Sequence, residues 1–342
     1  MDKKTADINP KAQKSEENVE TTLRPQKLTD FIGQTDLKKQ LRIILSAAQK
    51  RKECLDHLLF YGPSGLGKTT LSNLLAKEMG VNIKVTSGPA IQRTGDLASI
   101  MTSLEKGGIF FIDEVHRLNK AVEETLYPAM EDFRLDVILG KGPAARTLRL
   151  KLNRFTIIAA TTRIGLLSSP MRNRFGFIHR LNFYNQEELK KIIIRSAKIL
   201  NVEIKGEAAL EIAKRARGTP RIANRFLRRV RDFAEVEADG IITLEVAKSA
   251  LEMLAIDNKG LTKADRQLLT ALAKKHDGGP VGIETLAASI DEDVGTVEDV
   301  YEPFLLQIGF LKRTPRGRML APRAFEFLNI PLPDQLKQKK LF

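Results

Sequence analysis

The segment His57-Leu58-Leu59-Phe60-Tyr61-Gly62-Pro63-Ser64-Gly65-Leu66-Gly67-Lys68-Thr69 decides the fold. Its first five residues are a short apolar run, the pattern of a buried strand. The next eight fit G-x-x-x-x-G-K-[ST], and a helix-forming stretch, Thr70–Met79, follows. Glycines in such a loop let backbone N–H groups curl around phosphate oxygens, and the helix N-terminus adds its dipole. Lys68 is placed to reach β- and γ-phosphates, and Thr69 to offer a hydroxyl to Mg²⁺. A Gly-rich turn can precede a helix by chance, but here strand and helix both stand where the motif requires them. A nucleoside triphosphate is the expected ligand.

Further along, Gly108-Ile109-Phe110-Phe111-Ile112 is a second apolar strand, and it ends in Asp113-Glu114. Carboxylates at a buried strand end suit a metal and an attacking water, so Asp113 is expected on Mg²⁺ and Glu114 on the water as general base. The strand Phe155–Ala160 leads to Thr161-Thr162-Arg163, where a polar tip can sense the γ-phosphate. In Ser169-Pro170-Met171-Arg172-Asn173-Arg174-Phe175, Arg174 reads either as a surface salt bridge or as an arginine finger offered to a neighbouring subunit. Gly218-Thr219-Pro220-Arg221 has a Thr suited to an N-cap and a Pro suited to the first helical turn. That puts the Arg221 cation against the helix dipole, which invites a phosphate partner.

Around these motifs the chain reads as an α/β P-loop domain over 21–184, after a polar tail at 1–20. A helical domain follows over 185–256, with helices at Glu187–Asn201, Glu207–Arg217, Pro220–Ala238 and Leu244–Leu254. Asp257-Asn258-Lys259-Gly260 is a polar break. Residues 257–330 give helices at Ala264–Lys275, Ile283–Ala288 and Thr296–Gln307, then a hairpin over Phe310–Leu320, the pattern of a winged helix. Residues 331–342 form a C-terminal tail. The 342 residues carry 56 Lys and Arg against 42 Asp and Glu, net +14, which points to a polyanionic partner. No apolar run approaches the roughly 20 residues of a membrane span. The first 20 residues lack a secretory h-region, and one cysteine, Cys54, excludes an internal disulfide, so a cytoplasmic location is expected. One cysteine and four scattered histidines also leave no zinc site.

The order of phosphate loop, Asp113-Glu114, Thr162, Arg174 and Arg221 resembles the AAA+ ATPases. Several strings narrow the resemblance to the RuvB family of bacterial Holliday-junction branch-migration motors. They are Leu23-Arg24-Pro25, Asp30-Phe31-Ile32-Gly33-Gln34, Asp113-Glu114-Val115-His116-Arg117-Leu118, Gly140-Lys141-Gly142-Pro143-Ala144-Ala145-Arg146, Ala160-Thr161-Thr162-Arg163, Gly218–Arg225 and Thr314-Pro315-Arg316-Gly317-Arg318. The likeness covers about 21–330. It departs at Ser64, where the family usually has proline, on a variable position of the loop. The resemblance implies a large AAA+ domain, an all-α lid and a winged-helix head. It implies that Leu23, Arg24 and Tyr184 meet the adenine end of ATP, and that Gly65, Gly67, Lys68, Thr69 and Thr70 cradle its phosphates. It also places Glu131, Asp132 and Phe133 near nucleotide. Thr162 and Arg221 would be the two sensors, and Arg174 would serve the adjacent subunit of a hexameric ring.

Between Asp136 and Glu187 there is no acidic residue but nine basic ones, and the stretch contains a hairpin pattern over 134–152. Leu135, Val137, Leu139, Leu148, Leu150 and Leu152 share one face of it. That face either packs on its own domain or, exposed, marks a protein-binding site. The family favours the second, as the docking element for RuvA, with RuvC cleaving junctions later. On the C-terminal wing, Lys312, Arg313, Arg316 and Arg318 suit a DNA backbone, with Arg313 and Arg318 at the family's DNA-contacting positions. No aromatic stacking platform accompanies them, so binding is expected to be sequence-independent and salt-sensitive. Two rival functions are a clamp-loader-type switch and an ATP-gated operator-binding regulator. The hairpin and wing argue against the first; a steep salt slope without sequence preference would argue against the second.

Overall fold

A computed structural model describes residues 22–139 and 146–333. The expected tail at 1–20, the hairpin tip Gly140–Ala145 and the last residues of the chain lie outside the described residues. Two compact units emerge. One runs to Asn201 and takes in 218–224; the other holds Val202–Arg217 and the chain from Arg225 onward. Among the described residues no helix is long and apolar enough to cross a membrane.

In chain order the first unit contains α1 (Thr35–Arg51), β1 (Leu58–Tyr61), α2 (Lys68–Met79), β2 (Ile83–Ser87), α3 (Thr94–Thr102), β3 (Ile109–Asp113) and α4 (Lys120–Asp132). The antiparallel hairpin β4 (Arg134–Leu139) and β5 (Arg146–Lys151) follows, then β6 (Thr156–Thr161), α5 (Ser169–Asn173), β7 (Phe177–Arg180) and α6 (Gln186–Ile199). β1, β2, β3, β6 and β7 form one parallel sheet in the order β2-β3-β6-β1-β7. Parallel neighbours need long crossovers, and helices supply them while covering both faces of the sheet. Hence the inner strands are buried along their length, β6 at all six positions and β3 at its first four, while the edge strands β2 and β7 are only partly covered.

The strand order decides where the chemistry falls. β3, β6 and β1 are adjacent, so their C-terminal ends, which carry the acidic pair, Thr162 and the phosphate loop, open side by side. Ligands of parallel sheets bind at that edge. Beneath it, Leu59, Phe110, Ile112 and Ala159 pack with Leu97 and Met101 of α3 and Val122, Leu126 and Met130 of α4. Each such side chain contributes about 1.5–3 kcal/mol on burial.

The 134–152 hairpin packs on its own domain at its base. Leu135 and Leu152 are buried in the same core as Phe155, with Leu150 packed against it. Two register positions outward from the pair Leu135↔Leu150, Leu148 is 46% exposed. The base belongs to its own domain, while Leu148 of the same face is exposed.

The second unit holds α7 (Gly206–Arg215), most of α8 (Pro220–Glu237), α9 (Leu244–Met253), α10 (Lys263–Lys275) and α11 (Ile283–Ser289). A helical run follows: α12 (Val294–Thr296), a π segment Val297–Tyr301 and α13 (Glu302–Gln307). It differs from the uninterrupted helix expected over Thr296–Gln307. Pro303 has no N–H to return to the carbonyl four residues back, so the ladder relaxes to wider bonds before it. The wing is β8 (Leu311–Thr314) with β9 (Gly317–Leu320), and α14 (Pro322–Leu328), which sequence pattern missed, closes the head. Gly317 takes φ +133°, and a Cβ there would lie 2.2 Å from the Val281 carbonyl oxygen. That close approach lets Val281 and Arg318 exchange two backbone hydrogen bonds of 2.9 and 2.8 Å and add a bridge to the wing.

Candidate active site

α2 begins at Lys68, two residues before the expected start, because Gly67 takes φ +100° and serves as N-cap. Side chains rarely adopt that conformation, and glycine does so freely. Gly65 is needed for space as well: a Cβ there would stand 2.7 Å from Thr219 Cγ2. The loop and the 219–221 turn are thereby in contact, and Arg221 N–H donates to the Gly65 carbonyl at 3.4 Å. The Ser64 hydroxyl accepts from Arg221 Nη1 at 3.3 Å. A proline at that position has no side-chain acceptor, so this departure from the family pattern adds a tie to Arg221.

Lys68 is buried and donates to the carbonyls of Gly62 and Pro63 at 2.8 and 3.0 Å. Burial lowers its pKa, while Glu114 and Asp113 pull it back up. The Thr69 hydroxyl donates to Asp113 at 3.3 Å, joining the start of α2 to the end of β3. Glu114 lies just past the strand at φ +47°, and its carboxylate accepts from the Thr162 hydroxyl at 3.1 Å. His116 Nδ1 stands 3.2 Å from that carboxylate and 2.8 Å from the Thr161 hydroxyl.

Lys68, Thr69, Asp113 and Glu114 open on a cleft of about 220 Å³ that Leu23, Arg24, Gly65, Gly67, Thr70, Tyr184 and Arg221 also line, whereas Thr162 is not among its lining residues and meets it through Glu114. Tyr184 is buried, donates its hydroxyl to the Leu66 carbonyl at 3.1 Å, and has its phenol pKa pushed up by burial. Phe31, Ile32, Ile192, Arg195 and Asn224 also line the cleft, and no role was expected for them. Phe31 and Asn224 stand inside strings that carry the family resemblance. Arg195 is a lone cation on the buried side of amphipathic α6, a pattern that also fits a solvated face. It holds the carbonyls of Asp30 and Leu23 at 2.8 and 3.1 Å and so fixes the segment facing the loop.

Glu131, Asp132, Phe133 and Arg174 are not among the residues lining this cleft. They gather elsewhere on the first unit. Arg174 Nη2 pairs with Glu131 at 3.1 Å, and Phe133 stacks edge-on to Phe155 with centroids 5.6 Å apart. On the wing, Arg318 is only 13% exposed and pairs with Glu302 and Glu298, at 3.1 and 3.2 Å. Arg313 also meets Glu302, at 2.9 Å, while Lys312 and Arg316 stand exposed. The four wing cations are therefore unequal, which the sequence pattern does not distinguish.

Thr69 and Asp113 supply hard oxygen donors that suit Mg²⁺. Among the described residues no group of three or more His, Cys, Asp or Glu forms a metal cage. Two oxygen side chains fit an ion that keeps waters and takes its remaining ligands from phosphates.

Three family descriptions tile the chain: "Holliday junction DNA helicase RuvB P-loop domain" matches 23–181, "RuvB AAA lid domain" 184–257 and "RuvB C-terminal winged helix domain" 258–329. The chain is 60% identical over 328 residues to the Holliday junction branch migration complex subunit RuvB of Chloroflexus aurantiacus, covering 96% of this chain and 94% of that one. Its identity to the same subunit of Chloroflexus aggregans is 59% over the same share of each. The RuvB Holliday junction branch migration motor of Thermotoga maritima superposes with a TM-score of 0.84 at 50% identity, covering 91% of this chain and 100% of that one. With the phosphate loop, acidic pair, lid and winged head in this order, the chain belongs to the RuvB family of Holliday-junction branch-migration motors.

Proposed function

We propose that the cleft binds ATP with Mg²⁺ and that its hydrolysis drives duplex DNA past the protein to move a four-way junction. The carrying observation is the convergence of Lys68, Thr69, Asp113, Glu114 and Thr162 at three adjacent strand ends. Backbone N–H groups from Gly65 to Thr70 and the α2 dipole bind phosphate oxygens, and Lys68 neutralises the β/γ charge. Thr69 and Asp113 hold Mg²⁺, which neutralises charge developing on the phosphates when bound. Glu114 orients the attacking water and takes its proton. Thr162 reads the γ-phosphate while steadying Glu114, and Arg221 reads it from the 218–221 turn. Leu23, Arg24 and Tyr184 seat the adenine end.

Arg174, with Glu131, Asp132 and Phe133, faces the nucleotide of the adjacent subunit, so the working assembly is a homo-hexameric ring. The wing grips the DNA backbone through Arg313, Arg316 and Arg318. Hairpin 134–152, where Leu148 is exposed, offers its apolar face to RuvA, and RuvC cleaves the junction afterwards, all in the cytoplasm.

The test is branch migration of a synthetic four-way junction with ATP and Mg²⁺, with and without RuvA. Movement that needs both ATP and an intact Glu114 is expected. An active ATPase that leaves the junction in place in the presence of RuvA overturns the motor reading.

A further inference from the structure

The finger segment is held by one stripe of a single helix. Glu123, Tyr127 and Glu131 are spaced by four residues on α4, so they share a face. The Tyr127 hydroxyl donates to Glu123 at 2.8 Å and lies 3.2 Å from the Ser168 hydroxyl. Ser168 also donates to Glu123 and is the N-cap of α5, accepting from Met171 N–H. Arg174 stands immediately after α5. Its guanidinium carbon lies 4.3 Å from the centre of the Tyr127 ring. Tyr127 thus touches both ends of the segment: the cap that starts the helix and the cation that follows it.

The other contacts of Arg174 are of a different kind. Nη1 donates to the Pro170 carbonyl at 2.8 Å, which is local to the same turn. Nη2 meets Glu131, whose side chain is 55% exposed. Ion pairs that open to solvent hold weakly, and a phosphate readily replaces such a carboxylate. Arg174 Nε is buried with no hydrogen-bond partner, so no hydrogen bond fixes that edge of the group. An aromatic face attracts a guanidinium without consuming its N–H donors. The ring can keep hold of the arginine while its Nη groups exchange Glu131 for an incoming anion.

We propose that Tyr127 is a positioning residue for Arg174: its ring sets the height of the guanidinium, and its hydroxyl, through Glu123 and Ser168, sets the start of the helix that presents it. This rests on the reading of Arg174 as a finger for the adjacent subunit. Glu131 is then the resting counter-ion, and Tyr127 acts without touching nucleotide. A finger misplaced by about an ångström loses most of its effect on the transition state while leaving ground-state binding intact. Tyr127 therefore acts on kcat and not on KM.

The experiment measures ATPase rates of the full-length protein with duplex DNA for Tyr127→Leu, Tyr127→Phe, Arg174→Ala and the double variant Tyr127→Leu/Arg174→Ala. Tyr127→Leu is expected to lose about tenfold in kcat with KM for ATP within twofold, and Tyr127→Phe, which keeps the ring, to stay within about threefold. In the Arg174→Ala background, Tyr127→Leu is expected to cost nothing further. Mixing Tyr127→Leu with the hydrolysis-dead Lys68→Ala protein is expected to restore rate per Tyr127→Leu subunit, because Lys68→Ala subunits lend intact fingers. Losses that multiply in the double variant, or no rescue on mixing, overturn the positioning role and leave the finger reading standing. An Arg174→Ala protein that hydrolyses ATP normally overturns both.

Discussion

Thr162 donates its hydroxyl to the Glu114 carboxylate across 3.1 Å, from the tip of β6 to the residue that follows β3. The bond exists because β3 and β6 are neighbours in a parallel sheet, with Ile112 paired to Ala159. One hydroxyl from β6 thereby reaches the carboxylate proposed as general base. Thr162→Val removes it with almost no change of volume. ATP affinity is expected to stay within about threefold while kcat falls by about 10–100-fold, short of the 10²–10⁴ expected for Glu114→Gln. Nucleotide binding by fluorescence and steady-state ATPase rates separate the two effects. Weakened binding with an unchanged kcat would mean that Thr162 contacts ATP without orienting Glu114.

On the wing, Arg316 and Arg318 are expected to behave oppositely despite standing two residues apart. Glu302 is 1% exposed; burial works to raise its pKa, and hydrogen bonds from Arg313 and Arg318 outweigh this and hold it below the usual carboxylate range. Arg318→Ala strands much of that buried charge and is expected to cost on the order of 3 kcal/mol of stability. Arg316 is exposed at the turn, so Arg316→Ala is expected to change stability by less than about 0.5 kcal/mol. It should weaken DNA binding equally across sequences and reduce the slope of log K against log salt by about 1. Denaturant melts and binding titrations over a salt series check both. Equal salt slopes for wild type and Arg316→Ala would remove Arg316 from the DNA contact.

The contrast between these two arginines shows what a sequence makes legible. The phosphate loop, the acidic pair and the strands that carry them are local strings, and the parallel sheet brings their ends together by a simple rule. Arg313 and Arg318 are equally visible, but the carboxylate that engages them lies 11 and 16 residues away on another element. Tyr127 reads as one more half-apolar position on α4, because its partner Arg174 is 47 residues downstream and no spacing rule joins them. Leu148 shows the same limit: alternation places it on the apolar face, and only the depth of the hairpin base decides that it is exposed. Residues whose role depends on tertiary partners leave no periodic trace.

His57 gives the fold a defined response to acid. Its Nδ1 accepts from Ile157 N–H at 2.9 Å, and its Nε2 faces the Met130 carbonyl at 3.1 Å, so the neutral ring satisfies both neighbours. A proton on Nδ1 would break the first bond. Burial lowers the pKa, against smaller opposing effects of Met130 and Asp56. The unfolded chain takes up this proton near pH 6.5 and the folded one only at lower pH. The stability contributed is therefore full above about pH 6.5 and is lost as pH falls from there toward the folded value. Denaturant midpoints between pH 8 and 5 are expected to fall more steeply for wild type than for His57→Leu, whatever the absolute cost of that change. Parallel slopes would assign the acid response to other groups.

Asp265 and Arg217 form a buried ion pair in the second unit, with side chains 0% and 8% exposed. Asp265 also closes a capping box at the start of α10, accepting from Thr262 N–H at 2.7 Å and from its hydroxyl at 2.6 Å. Arg217 in turn holds the Gly260 carbonyl at 2.8 Å and stacks 4.5 Å above the Phe304 ring. One carboxylate thus joins Arg217, two residues past α7, to the first turn of the head, across the polar break at 257–260. Burying both charges is costly, so the pair is worth little against a well-packed apolar replacement. Removing one member is a different matter, because the other stays buried without its countercharge. Asp265→Ala is expected to cost about 3–5 kcal/mol and Asp265→Asn less, since the amide oxygen still caps α10. ATP affinity should be unchanged in both, because every residue lining the cleft belongs to the first unit. Calorimetry paired with nucleotide titration reads this out. A stability loss under about 1 kcal/mol for Asp265→Ala would show that Arg217 is held in place without this countercharge.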